Sequence, residues 1–580
     1  MDGAYALSPA NGHDEAVVTL PKAKDLSHHL NSLTKRRVAN KLKEMYQYSG
    51  VPGMVSLAGG IPSPAYFPFE SLSAEILPYD HLPLDNPRVP AKPKTSLLSW
   101  LFGSSSGSSQ AAPTITVPKY AKNPKDPYAV QLATSLQYQL ATGPPAFPKF
   151  LREYVKTVYK PGYADWDVLL DDGATDGFNK VCNLLVEVGD TILVEEWTYP
   201  GAANAYLPYD TTIVGVKMDG QGIIPEELES LLSNWDDSKG RFPRLLYTVP
   251  TGQNPTGATM LGERKQAIYA LASKFDLIIV EDEPYFTLYS GAYTPRDAKL
   301  SPVAQYQRDL EKKEGKEGNE AFIKALPPTY LRYDTEGRVI RLDTFSKTSA
   351  PGSRLGWITS NPLFIERLTR ISESSTQAPS GFATSLTVTL LNTWGLDGYI
   401  RWLRGLKGAY TVRRDWLIDS LADVFHLEFE EDNVHNPNVL TVAGIGRGAT
   451  AYARQLPGSS QALWDEKRGT SSPHGKPLVS FVPPTAGMFV WLAVHLNQHP
   501  EYESLGPDAT NILLRRLWLK LADHLVLFAP GFVFAPDAAP TDNTGVGYFR
   551  LSYSIITYEE SRTAIKTFEE VLVKFLHGRS

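Results

Sequence analysis

The chain has 580 residues, 42% hydrophobic and 21% charged, with a formal net charge of −6 and a single cysteine. That length exceeds one ordinary core and favours two domains plus insertions, while the acidic balance argues against nucleic acid or an anionic membrane as the main partner. One cysteine, Cys182, excludes an intrachain disulfide and a cysteine metal cluster, and no run of about eighteen apolar residues is present to span a membrane.

Residues 1–50 read as an N-terminal arm, polar and irregular up to Leu33, either disordered or wrapped on a neighbour. Asp2, Asp14 and Glu15 speak against a secretory signal or transit peptide, so a cytoplasmic location is expected. Residues 51–125 lead into a smaller domain and carry a flexible insertion, 82–125. Its signals are repeated prolines, the run Gly103-Ser-Ser-Ser-Gly-Ser-Ser109 and an apolar patch, Ser96–Phe102.

Residues 126–395 read as a large α/β domain. Phe178 to Val186 has a helical pattern containing Cys182, whose place among Phe178, Val181 and Leu185 marks a buried thiol. Short strands are expected at Thr191–Val194, Thr212–Val216, Leu245–Val249 and Leu277–Val280, with a helix over Glu263–Phe275. Continuous Val/Ile/Leu strands between helices indicate a mainly parallel sheet covered on both faces. Functional residues then belong in loops beyond the carboxyl ends of those strands. The charge-rich stretch 309–318 reads as an inserted solvated face. Residues 396–580 read as a smaller α+β domain with an insertion at about 444–477.

Several segments carry chemistry. Gly173-Ala-Thr-Asp-Gly177 opens a helix near Phe178, and free N–H groups there with the Thr175 hydroxyl suit a phosphate, although an ordinary N-cap has the same look. Trp197 or Tyr199, just after a strand, can stack on a flat ring or simply fill the core. Pro250-Thr-Gly-Gln-Asn-Pro-Thr-Gly257 is a tight loop that presents the Asn254 amide. Asp282, at a strand's carboxyl end, can hold a protonated ring nitrogen, with the Tyr285 phenol three residues on.

The most telling run is Thr344-Phe-Ser-Lys-Thr-Ser-Ala-Pro-Gly-Ser-Arg-Leu-Gly-Trp357. A lysine that forms a Schiff base needs a depressed pKa, which desolvation and a nearby cation such as Arg354 provide for Lys347. The surrounding hydroxyls and Arg354 also match a phosphate dianion. Arg550, in Phe549-Arg-Leu-Ser-Tyr553, can fork a carboxylate or join an ordinary salt bridge.

In chain order, these segments resemble the fold-type I pyridoxal-phosphate aminotransferases, over roughly Val55–Pro78 and Asp126–Gly578. Ser56-Leu-Ala-Gly-Gly-Ile-Pro-Ser-Pro64, Leu136-Gln-Tyr138, Thr344-Phe-Ser-Lys and Arg354-Leu-Gly-Trp are most similar to the aromatic and 2-aminoadipate (kynurenine-type) branch. Ser27-His-His and Thr34-Lys-Arg-Arg resemble its fungal members. The resemblance implies a large domain with a mainly parallel seven-stranded sheet, a smaller α+β domain and pyridoxal 5′-phosphate as cofactor. Lys347 would hold the cofactor and shuttle the substrate proton; Asp282 would pair with the ring nitrogen; Asn254 and Tyr285 would bond the 3′ oxygen; and Tyr199 would stack on the ring.

Ala174, Thr175, Thr344, Ser346 and Arg354 would bind the phosphate, although related enzymes often carry a glutamine where this chain has Thr175. Tyr138 would reach the phosphate in the neighbouring subunit of a homodimer with shared sites. Arg550 and Asn254 would take the substrate carboxylate and Gly60 would line the substrate entrance; no metal is expected. The implied reaction moves an amino group from an aromatic amino acid, or 2-aminoadipate, to a 2-oxo acid such as 2-oxoglutarate. The alternatives are a lyase of the same fold and an aminotransferase-like regulator lacking its DNA-binding domain.

Overall fold

The computed structural model describes residues 19–38, 53, 55, 57, 60–90, 112–123, 125–429, 448–454, 476–535 and 544–578. Two strands, β1 (Ser71–Glu75) and β2 (Thr114–Pro118), form an antiparallel ribbon near the start. The central sheet follows: β3 (Asp167–Asp171), β4 (Thr191–Glu195), β5 (Thr212–Val216), β8 (Leu245–Thr248), β9 (Ile278–Asp282), β10 (Val339–Thr344) and β11 (Gly356–Ser360). A small hairpin, β6 (Met218–Asp219) with β7 (Gly222–Ile223), lies between β5 and β8. The order in the seven-stranded sheet is β3-β11-β10-β9-β8-β4-β5, and only β11 runs against its neighbours.

Strand alternation sorts the side chains into two cores. Ile192, Val194, Val280, Ile340 and Leu342 pack on one face, beneath the helices Ala174–Leu185 and Pro362–Glu373. Leu193, Leu246, Ile279 and Val339 pack on the other, beneath Ala146–Val158 and Gly262–Lys274. The expected helix near Phe178 begins earlier, at Ala174, so Ala174 and Thr175 form its first turn. Asp282 closes β9 itself instead of following it.

Helix Gly381–Val424 carries the chain out of this layer, with Gly395 at φ 66 interrupting its helical dihedrals. The strands β12 (Phe425–Phe429), β13 (Ala449–Ala453), β14 (Val479–Phe481), β15 (Phe489–His495), β16 (Ala529–Pro530) and β17 (Val546–Ser552) form an antiparallel sheet, ordered β12-β13-β14-β15-β17-β16. The helices Ala509–Asp523 and Tyr558–Leu576 complete this smaller unit. The two sheets approach closely where Gly252 meets Gly487: a Cβ on Gly252 would lie 2.6 Å from the Gly487 backbone. No described helix is long and apolar enough to cross a membrane.

Several sequence expectations change. Residues 19–38 of the arm lie on their own chain: the Asn31 side chain donates to the Asn183 and Val186 carbonyls at 2.9 Å, and Lys24 pairs with Glu336 at 2.7 Å. The insertion 82–125 is ordered at both ends, through β2 and through Arg88, whose Nε donates to Asp419 at 2.7 Å. Its middle, including Ser96–Phe102 and Gly103–Ser109, lies outside the described residues.

The stretch 309–318 is not simply a solvated face. It joins the helices Pro302–Lys312 and Lys316–Ala325, and Glu314 accepts two bonds from Arg401 at 2.6 and 2.8 Å. Cations on the facing long helix give its charges partners, so the segment docks. Part of 444–477 is strand β13, whose small alanines fit between β12 and β14; residues 455–475 lie outside the described residues. Cys182 is fully buried, as its pattern indicated.

Candidate active site

Beyond the carboxyl ends of β8, β9 and β10, and facing the smaller sheet, lies a cavity of about 380 Å³. Ala174, Thr175, Tyr199, Asn254, Asp282, Tyr285, Thr344, Ser346, Lys347, Arg354 and Arg550 all line it. Residues spread over nearly four hundred positions therefore meet in one place, most of them at strand ends, in the loops after strands or at helix starts, with Arg550 brought in by β17.

One end is built for an anion. Gly173, at φ 97, caps the helix Ala174–Leu185, so the first N–H groups of that helix have no carbonyl within it to bond. Arg354 takes a left-handed backbone (φ 48), and its guanidinium donates to the Asp172 carbonyl at 2.9 Å and to Ser346 Oγ at 3.3 Å. Thr344 and Ser346 join their hydroxyls at 2.9 Å. Lys347 follows on the turn after β10. Burial depresses its pKa, and the charge of Arg354 depresses it further. Among the described residues no carboxylate pairs with its ammonium, so a neutral amine is within easier reach than on a surface lysine.

The other end is built for a cation. Asp282 is buried, and one of its oxygens accepts the Tyr247 hydroxyl at 2.8 Å. The other oxygen, Oδ1, is buried without a partner. Desolvation pushes this carboxyl up to about 6 despite the bond from Tyr247. An orphaned carboxylate oxygen in such a place is costly unless a charged donor meets it. A protonated ring nitrogen fits that need, and the anion end fits the phosphate of the cofactor that the sequence resemblance implies. Tyr285 is buried nearby, its ionisation opposed by burial and by the charge of Asp282.

Arg550 reaches in from β17. Its Nη1 donates to Asn254 Oδ1 at 2.7 Å, leaving the Asn254 amide nitrogen free to donate elsewhere. Its Nε is buried without a partner, and the guanidinium lies 4.4 Å from the Phe489 ring centre and 4.8 Å from that of Phe534. Aromatic walls around a cation with an unused donor make a site for a carboxylate borne on an apolar group.

Two expected residues are not brought here within one chain. Tyr138 and Gly60 are both exposed and neither lines the cavity. Trp197 turns away and packs against Trp491 and Tyr548, leaving Tyr199 as the ring-stacking candidate. Sequence reading missed Tyr247, Phe178 and Phe489, which also line the cavity. Tyr247 had a usable signal, the one aromatic hydroxyl in a strand of otherwise aliphatic residues and threonine.

A family model described as aminotransferase class I and II matches residues 103–441. An aromatic amino acid aminotransferase of Schizosaccharomyces pombe is 32% identical over 95% of this chain and 98% of its own length. An L-tyrosine:2-oxoglutarate aminotransferase of Serpula lacrymans is 31% identical, covering 88% of this chain and 84% of its own. The crystal structure of an aminotransferase from Candida albicans aligns with a TM-score of 0.74 at 33% identity, over 96% of this chain and 99% of that one. With the cavity's anion end, buried carboxylate and unpaired lysine, these likenesses establish that the chain belongs to the class I and II aminotransferases.

Proposed function

We infer that this aminotransferase uses pyridoxal 5′-phosphate to move the amino group of an aromatic amino acid, or of 2-aminoadipate, to a 2-oxo acid such as 2-oxoglutarate. The observation that carries the reading is the meeting of unpaired Lys347 with the orphaned oxygen of Asp282 in one cavity. Once bound, the cofactor would supply an electron sink for the substrate's Cα electrons. Asp282 would keep the ring nitrogen protonated, while Arg354, Ser346, Thr344, Thr175 and the Ala174 N–H hold the phosphate. Asn254 and Tyr285 would donate to the 3′ oxygen, and Tyr199 would cover the ring. Lys347 Nζ, whose hold on a proton burial weakens, would take the Cα proton and return it. Arg550 grips the α-carboxylate, and Phe489 and Phe534 beside it favour an aromatic side chain, in keeping with the names of the relatives. We also infer a homodimer, in which Tyr138 would serve the partner's phosphate, and a substrate entrance lined by Gly60.

An absorbance spectrum of the purified protein tests this reading, with Lys347→Ala as control. A visible band should be bleached by L-phenylalanine and restored by 2-oxoglutarate, and Lys347→Ala should lack it. A band that ignores phenylalanine removes the aromatic donor. No band after adding pyridoxal phosphate overturns the cofactor assignment.

A further inference from the structure

Behind Asp282, on the face of the sheet away from the cavity, lies a set of buried ions that the reaction does not touch. Parallel pairing sets Arg341 against Glu281 and Leu342 against Asp282. Side chains alternate along strands, so Asp282 and Leu342 share one face of the sheet while Glu281, Arg341 and Asp343 share the other, where Glu283, just past β9, joins them beside Lys265. Lys265, from helix Gly262–Lys274, caps them. Lys265, Arg341, Glu281, Glu283 and Asp343 are all buried.

Arg341 donates to both oxygens of Asp343 at 2.8 Å and stands 3.4 Å from Glu281. Lys265 lies 3.4 Å from Glu283 and 3.7 Å from Glu281. Neutral donors complete the set: Tyr159 to Asp343 at 2.8 Å, Thr251 to Glu283 at 2.9 Å and the Tyr330 N–H to Glu281 at 2.9 Å. Tyr159 and Phe286 stack on the Arg341 guanidinium. On β4, with β8 between it and β9, Glu195 accepts from the uncharged donors Thr248, Gln253 and the Val249 N–H.

Apolar residues usually seal such a layer at lower cost, since desolvating ions is expensive. Three acids behind a carboxylate that must stay ionised oppose its charge, so the two bases among them have a use that apolar residues lack. We propose that the cations Lys265 and Arg341 are the charge-setting members of this layer, offsetting the field of Glu281, Glu283 and Asp343 at the Asp282 carboxylate so that it stays anionic. Removing a back-face cation makes the surroundings of Asp282 more negative and draws the shared proton from the ring nitrogen onto the carboxylate. Removing a back-face acid does the reverse. Opposite signs separate this role from mere packing, in which both losses loosen the site alike.

The proposal rests on the pyridoxal-phosphate reading, so the test compares two probes: pyridoxal phosphate and its 1-deaza analogue, which has carbon in place of the ring nitrogen. The ratio of their dissociation constants, measured on cofactor-free protein, isolates the bond to Asp282. Asp282→Asn should collapse the wild-type preference for the nitrogen ring. Lys265→Met should shrink it about tenfold, the equivalent of one pKa unit at the carboxylate. Glu283→Gln should enlarge it, and Lys265→Arg should restore it. If Lys265→Met and Glu283→Gln weaken both probes equally with the ratio unchanged, the layer is structural and the proposal falls. Should Lys265→Met not fold, Glu283→Gln decides alone: an enlarged ratio supports the proposal, and an unchanged or smaller one overturns it. Failure of both probes to bind the wild type would instead overturn the cofactor reading.

Discussion

Asp282 shows how function and stability oppose each other at a single residue. Its carboxyl is held near 6, above the ordinary value of 3.8, mainly by burial. A raised carboxyl pKa contributes stability that is fully present below about 4 and is lost as pH rises through about 6. Cofactor-free protein at neutral pH therefore carries a penalty on the order of 3 kcal/mol at this site. Asp282→Asn removes that charge while keeping an acceptor for Tyr247. The cofactor-free variant should be more stable than cofactor-free wild type in urea at pH 7.5, and its advantage should vanish toward pH 4. In the presence of pyridoxal phosphate the order should invert, because only the wild type gains a ring cation. An unchanged ranking across pH would show that this carboxylate carries no buried charge.

At the scale of elements, the sheet was legible where strands were purely aliphatic. Thr191–Val194, Thr212–Val216, Leu245–Val249 and Leu277–Val280 all fall on strands of the central sheet. β3 and β10 were missed because Asp167, Asp171, Arg341 and Asp343 break the apolar run. The charges on β10 are nevertheless buried, since Arg341 and Asp343 find partners on β9, on Tyr159 and in each other. That compensation is tertiary, and local sequence does not display it. The site's loops were legible because Gly, Pro and Asn mark turns directly.

Gly173 illustrates the point. At φ 97, a Cβ there would lie 2.7 Å from the Arg354 Nη2. Gly173→Ala should cost roughly 1–2 kcal/mol for the left-handed backbone. It should also displace Arg354 from the anion end. Urea unfolding should report the first effect and a several-fold weaker affinity for pyridoxal phosphate the second. Affinity unchanged beside lost stability would remove Arg354 from the phosphate site.

For the whole molecule, the two residues that a single chain leaves outside its cavity point the same way as its surface. Tyr138 is 63% exposed, and Val55, Leu57 and Tyr66 are 83%, 96% and 86% exposed. The Gln137 side chain donates to the Pro62 carbonyl at 2.7 Å, which ties Pro62 to the turn bearing Tyr138. Exposed apolar side chains are costly in water, and covering one leucine is worth about 2 kcal/mol. A second copy would cover them symmetrically and would bring Tyr138 toward the partner's cavity. Leu57→Asp combined with Tyr66→Asp should therefore halve the mass seen by sedimentation and weaken binding of pyridoxal phosphate. Tyr138→Phe should keep the larger mass and lose affinity alone, because it removes one hydroxyl from the phosphate and nothing from the contact. A monomeric double variant that binds the cofactor as tightly as wild type would show that each chain completes its own site.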